Sequence, residues 1–257
     1  MMNNSSNGRE YLFFLVILAV ILLVWSLIAA GSGANPTFIP SPLTVLKAAL
    51  QEIKSGRLIE DIIASLFRVS LGYLLGVVTA IPFGLWLGHH KIWQGAFLPF
   101  VNFFRNLSPL TWIPFAILWF GIGDLPAIFL IFITVTFPLV LATVAAIANI
   151  PKIYFRVAQD HNFTATQTLF RVTFPAILPE LVTALRVTAG ISWMIVVAAE
   201  MIAGRDGLGY AVWDARNGLR IDLLIVEMIV IGIIGIILDR ILTSLSKHPR
   251  ISWSYEK

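Results

Sequence analysis

Apolar residues run along this chain in long blocks separated by short polar stretches. A helix needs about 20 apolar residues to cross the hydrocarbon of a bilayer. Six blocks approach or exceed that length: 11–30, 62–88, 94–120, 125–148, 176–203 and 223–245. The first holds no charged residue. It is longer than the apolar region of a secretory leader, about 7–15 residues, so it predicts a retained anchor. A polar stretch at 31–42 follows it. The mixed segment 43–61, with Lys47, Glu52, Lys54, Arg57 and Glu60, predicts an interfacial helix. The third block is interrupted by Pro99, Pro109 and Pro114.

Two polar segments lie between the later blocks. Residues 149–174 carry Lys152, Arg156 and Arg171 with Asp160 and Asn162, which places them outside the bilayer. Their apolar positions nevertheless keep helical spacing: Ile153 and Val157, then Leu169, Val172 and Phe174. Pro175 and Pro179 predict the return to the membrane, because proline suits the first turn of a helix. Such an amphipathic segment either lies on the membrane surface as a connector or docks a cytoplasmic partner. Residues 204–222 form a second polar loop, with Arg205, Asp206, Asp214, Arg216, Arg220 and Asp222.

Composition agrees with a lipid solvent. The 257 residues are 58% hydrophobic and 12% charged, against about 25% charged in a soluble domain. Cysteine is absent, which excludes disulfides, thiolate catalysis, zinc–sulfur sites and iron–sulfur clusters. The net charge of +4 does not imply nucleic acid, since cytoplasmic loops of membrane proteins collect Lys and Arg. Six crossings put both termini on one side. If that side is cytoplasmic, it holds Arg9, Lys91, Lys152, Arg156, Arg171, Arg240, Lys247, Arg250 and Lys257. The smaller basic set Lys47, Lys54, Arg57, Arg205, Arg216 and Arg220 then faces out. No repeat or soluble domain is visible, and residues 1–257 read as a single membrane domain.

The candidate chemistry is sparse. Arg68, Arg105 and Arg186 fall inside expected crossings, where a charge costs about 2.5–3.5 kcal/mol and must pair, snorkel or line a wet path. Arg105, deep in the proline-rich third block, suits attraction of an anion in a path or pairing with Glu200. Glu200 and Glu227 lie near ends of the fifth and sixth blocks, within reach of the interface. Gly72, Gly76, Gly84 and Gly88 form a small-residue stripe that lets helices approach closely, either within the subunit or at a dimer contact. His89, His90, His161 and His248 all fall in segments assigned to the cytoplasm, so no pair inside a crossing holds a haem. No phosphate-binding GxxxxGK[ST] loop occurs, so energy comes from a separate subunit or an ion gradient.

Several stretches together resemble one family. Residues 149–179, ending in Pro175-Ala-Ile-Leu-Pro179, are similar to the cytoplasmic loop of binding-protein-dependent ABC importer permeases. The WIP and WFGIGD stretches within 112–124, Ala-Ala-Glu-Met around Glu200 and GLGYAVWDARN at 207–217 resemble the nitrate, sulfonate, taurine and bicarbonate branch. The matching region runs from about Arg68 to Arg240. The resemblance implies an all-α, polytopic fold of about six transmembrane helices, of the type I importer permease class. It implies that 149–174 is a coupling segment for an ATPase. There Arg156, Val157 and Ala158 stand where the family has Glu-Ala-Ala, and Asn162 stands where it has Gly, with Asp160, Pro175 and Pro179 completing the set. Asn, like Gly, adopts the left-handed conformation such a turn needs. Arg105, Ser192, Trp193 and Glu200 are the expected path residues.

The implied partners are a second permease copy, two cytoplasmic ATPase subunits and a periplasmic or lipoprotein binding protein, in the lipid of a bacterial inner membrane. ATP and magnesium belong to the ATPase; no cofactor and no catalysis are expected in this chain. The cargo expected is a small anion, sulfonate or taurine, or else nitrate or bicarbonate. The competing class is a gradient-driven secondary transporter or channel, which would show ion relays or repeated halves. A structural anchor subunit of a membrane enzyme would leave the docking segment unused.

Overall fold

The computed structural model describes residues 4–31 and 39–246, and no strand occurs among them. Lys247, His248, Arg250 and Lys257 of the expected basic tail lie outside the described residues, as do most of the polar stretch 31–42 and the side chain of Arg9. The helices are α1 (Asn4–Gly31), α2 (Pro42–Ser55), α3 (Arg57–His89), α4 (Lys91–Asn106), α5 (Ile113–Phe120), α6 (Asp124–Ala148), α7 (Lys152–Asp160), α8 (Ala165–Thr168), α9 (Phe174–Ala203), α10 (Leu208–Asn217) and α11 (Ile221–Ser246). A 3₁₀ turn, Pro109–Trp112, precedes α5, and a π turn, Leu169–Thr173, joins α8 to α9.

Four helical stretches are long and apolar enough to cross a bilayer: Arg57–His89, Asp124–Ala148, Ala165–Ala203 and Ile221–Ser244. Leu15–Gly31 and Pro109–Phe120 are shorter apolar helices within the first and third expected crossings. Three boundaries differ from the sequence expectation. The second crossing's helix begins at Arg57 rather than 62, because Gly56, at φ +84, caps α2 and its N–H bonds to the Ile53 carbonyl. The third crossing is not one helix, since Leu107 and Ser108 are extended ahead of Pro109. The fifth begins at Ala165, ten residues before Pro175, because Thr164 and Gln167 form a reciprocal capping box there. The loop 204–222 also contains α10, which the polar composition concealed.

The chain divides into two compact units, one of residues Met1–Glu60 with Ala211–Val230, the other of Asp61–Tyr210 with Ile231–Lys257. In the first, α2 starts at Pro42, and the Ser41 hydroxyl accepts from the Thr44 N–H. Val45 and Ala48 bury against Val226, with Trp25 and Leu223 around them. The Trp25 indole N–H donates to the Pro40 carbonyl at 3.1 Å, and Arg57 pairs with Asp214 at 2.6 Å.

In the second unit α6 is apolar on all sides and is the most enclosed helix, with Leu130, Ile131, Val135 and Leu139 fully buried. It packs along α9. Against α3 the contact is made by the glycine stripe. A Cβ on Gly72 would meet Ile131 Cβ at 2.8 Å, one on Gly76 would meet Val135 Cβ at 2.7 Å, and one on Gly84 would meet Thr143 Cβ at 2.7 Å. Gly88 faces Ile147 in the same register. The stripe is thus an intrasubunit contact, and α3 and α6 run parallel with a constant displacement in sequence.

Candidate functional site

The segment between α6 and α9 is built as a short helix with a firm stop. Pro151 precedes α7 and Asn162 follows it at φ +54. The Asn162 N–H donates to the Gln159 carbonyl and the Phe163 N–H to the Ala158 carbonyl, both at 2.9 Å. That pair of bonds is a Schellman motif, which needs a left-handed residue after the helix. Asn162 therefore makes the turn expected of it. Ala158 is buried, whereas Arg156 and Asp160 are exposed. Ile153, Tyr154 and Val157 are about half exposed, so apolar surface beside Arg156 is uncovered. Pro175 lies in the first turn of α9 and Pro179 is buried one turn on. Both line a cavity of ≈ 980 Å³ with Asn149, Tyr154, Arg171 and Glu180. His89, at the end of α3, reaches the same region: its ring lies 6.5 Å from Phe155 of α7 and 3.1 Å from the Thr173 hydroxyl.

A second cluster centres on Arg68, which is 1% exposed. Its guanidinium donates to Glu200 Oε1 at 2.7 Å, to Asp124 Oδ1 at 2.7 Å and to the Asp206 carbonyl at 2.9 Å. It also pairs with the Asp206 carboxylate. Glu200 Oε2 accepts from the Ser65 hydroxyl at 2.8 Å and from the Gly209 N–H at 2.9 Å. Ser65 in turn accepts from Leu208 N–H at 2.9 Å, and Asp61 accepts from Gly207 N–H at 2.7 Å. Asp61, Ser65 and Arg68 lie one turn apart on α3, so one helix face grips residues 206–209. Gly207, at φ +98, permits this: a Cβ there would sit 2.6 Å from both Arg68 Nη1 and Glu200 Cδ. Asp124 and Asp206 remain about half exposed, while Glu200 is sealed.

Among the described residues no hydrogen bond or ion pair links the four expected path residues to one another. Glu200 pairs with Arg68, not with Arg105, and its side chain is enclosed. Glu227 is likewise buried. Ser192 is buried and its hydroxyl donates back to the Thr188 carbonyl at 2.8 Å. Trp193 is buried, and its indole N–H donates to the Ile231 carbonyl at 3.1 Å. Arg105 is exposed in the last turn of α4 and borders a separate cavity beside the break in the third crossing. In the sequence Arg68 stands out only as a charge inside a crossing. The stronger signal was its spacing from Asp61 and Ser65 on one helix face.

Residues 80–251 match the family described as the binding-protein-dependent transport system inner membrane component. The chain is 35% identical over 239 residues to the nitrate import permease protein NrtB of Synechocystis sp., covering 90% of this chain and 86% of the relative. It is 32% identical over 246 residues to the taurine transport system permease protein TauC of Escherichia coli, covering 94% and 90%. The solved bacterial alginate ABC transporter, in complex with its pentasaccharide-bound periplasmic protein, shares the fold with a TM-score of 0.65. It is 17% identical and covers 93% of this chain and 95% of that one. The family match runs through the coupling segment, and the chain belongs to the family of binding-protein-dependent ABC importer permeases, as a transport subunit and not an enzyme.

Proposed function

We propose that this chain is half of a homodimeric permease that imports a small anion into the cytoplasm. The observation that carries the reading is the uncovered face of α7, where Ile153 and Val157 stand beside Arg156, closed off by the Asn162 turn. A rigid helix with exposed apolar and basic groups is suited to lie in a groove of an ATPase subunit. Two copies would present two such helices to two ATPases, and closure of the ATPases on ATP and magnesium would draw them together. Neither ATP nor another cofactor is bound by this chain in that scheme. Both units of the chain serve one permease domain, with the termini and α7 in the cytoplasm and residues 204–222 outside, facing the binding protein. Relatives named for nitrate and taurine import support a cargo that carries an oxyanion group.

The chain lacks cysteine, so Val157→Cys creates its single thiol. In assembled transporter this thiol is expected to cross-link to the ATPase subunit from the cytoplasmic side. Labelling of Val157→Cys by a membrane-impermeant thiol reagent from outside intact cells would sink the reading.

A further inference from the structure

The break in the third crossing holds a cavity of ≈ 290 Å³. α4 ends at Asn106, and Leu107 and Ser108 are extended, with ψ 131 and 128, before the chain turns helical again at Pro109. Arg105 sits at this break, about midway along the stretch from Lys91 to Phe120. Backbone irregularity at membrane depth is tolerated where protein or a water-filled cavity surrounds it. One wall of the cavity is Arg105; the others are mainly aromatic and aliphatic, with Phe104, Trp112, Phe137 and Ile191. Phe104 and Phe137 stack with centroids 5.1 Å apart and planes within 14°. Thr134, the hydroxyl on the lining, already donates to its own helix at the Leu130 carbonyl, 2.6 Å away. Among the described residues Arg105 makes no ion pair, in contrast to Arg68 and Arg186.

We infer that this cavity is a selectivity site within the permease for small organic oxyanions of the sulfonate type, and that it disfavours bare inorganic oxyanions. The guanidinium is a planar fork of donors that suits an oxyanion head. A hydrated inorganic anion would lose water on its remaining sides to aromatic walls that offer no replacement bonds. An anion with an apolar body loses less there, because the rings cover the body rather than the charged head. A sulfonate, the anion of a strong acid, keeps its charge when partly desolvated, as nitrate does, so the two differ in the apolar body alone. The inference rests on the importer reading above, and it assigns the choice of cargo partly to the permease.

The test is calorimetric titration of the assembled permease–ATPase complex in nanodiscs, without binding protein. The probes are methanesulfonate, butanesulfonate and nitrate. Affinity is expected to rise about fourfold per added methylene, the factor set by burying one CH₂, with nitrate weaker than either sulfonate. Arg105→Gln should reduce butanesulfonate binding at least tenfold, and Arg105→Lys should keep part of it. Phe137→Ala should flatten the dependence on chain length. Equal binding of nitrate and butanesulfonate, undiminished binding by Arg105→Gln, or no binding to the wild type would overturn the site. ATP-driven uptake by the same complex with its binding protein separates the two failures. Uptake that persists without these effects removes only the selectivity site, whereas uptake independent of ATP removes the importer reading.

Discussion

Arg68 Nη1 lies 2.7 Å from Glu200 Oε1, and neither side chain reaches solvent. The pair joins α3 to α9, and through Asp206 and Gly209 it also fixes the chain segment after α9. Removing one partner of a buried ion pair leaves the other charge uncompensated, at a cost of about 3–5 kcal/mol. Arg68→Met is therefore expected to lower the thermal midpoint of the purified protein sharply. The double variant Arg68→Met with Glu200→Gln should recover part of the loss. Additive effects in the double variant would show that the two side chains do not act as a pair.

Gly207→Ala should be damaging for two reasons that coincide. Its φ of +98 disfavours any side chain, and the new methyl would press on Arg68 and Glu200. The left-handed conformation alone costs about 1–2 kcal/mol. Gly95 makes the control, because a Cβ there meets nothing within 4 Å. In the helix α4 the Gly95→Ala change should be neutral or stabilising by about 0.5–1 kcal/mol. Equal melting temperatures for the two variants would refute the tight fit around residue 207.

Asn162→Gly is expected to be tolerated, since glycine adopts positive φ without strain. Asn162→Val should disrupt the end of α7, because a β-branched residue resists φ +54. The readout is the amount of ATPase subunit that co-purifies with the permease from membranes. It should stay at the wild-type level with glycine and fall with valine. A valine variant that retains its ATPase would separate this turn from partner binding.

Gly76→Leu should loosen the α3–α6 contact, because Val135 Cβ already stands 2.7 Å from where a Cβ would sit. Overpacking of this kind typically costs about 1–3 kcal/mol. The loss should appear as a lower melting temperature at every protein concentration. A variant whose melting is unchanged but whose dimer dissociates would place the stripe at the subunit interface instead.

The crossings were legible because lipid selects for long apolar runs, and a run such as 125–148 admits one interpretation. The Asn162 turn was legible too, since few residues other than glycine suit its backbone. Boundaries set by a single capping residue were harder. Gly56 divides two helices inside a segment whose charges suggested one, and Thr164 starts a helix that Pro175 seemed to own. The Arg68 cluster was hidden for a different reason. Its partners come from two stretches far from it in sequence, Asp124 from one and Glu200 with Asp206 from the other, and Glu200 sits where an interfacial position was equally compatible with the hydropathy. Arg105 and Glu200, joined in one of the alternatives, proved to belong to separate places.

The glycine-lined seam between α3 and α6 has a mechanical meaning. From Gly72 to Gly88 it extends about 24 Å at the rise of an α-helix, most of a membrane's depth. With Cβ positions already occupied by the opposing side chains, the two rods have no slack in which to slide past each other. For one to slide along the other, the seam would first have to open. A push delivered to His89, beside the Phe155 ring, would therefore be carried by both helices together toward Arg68 and Asp124 at the other end.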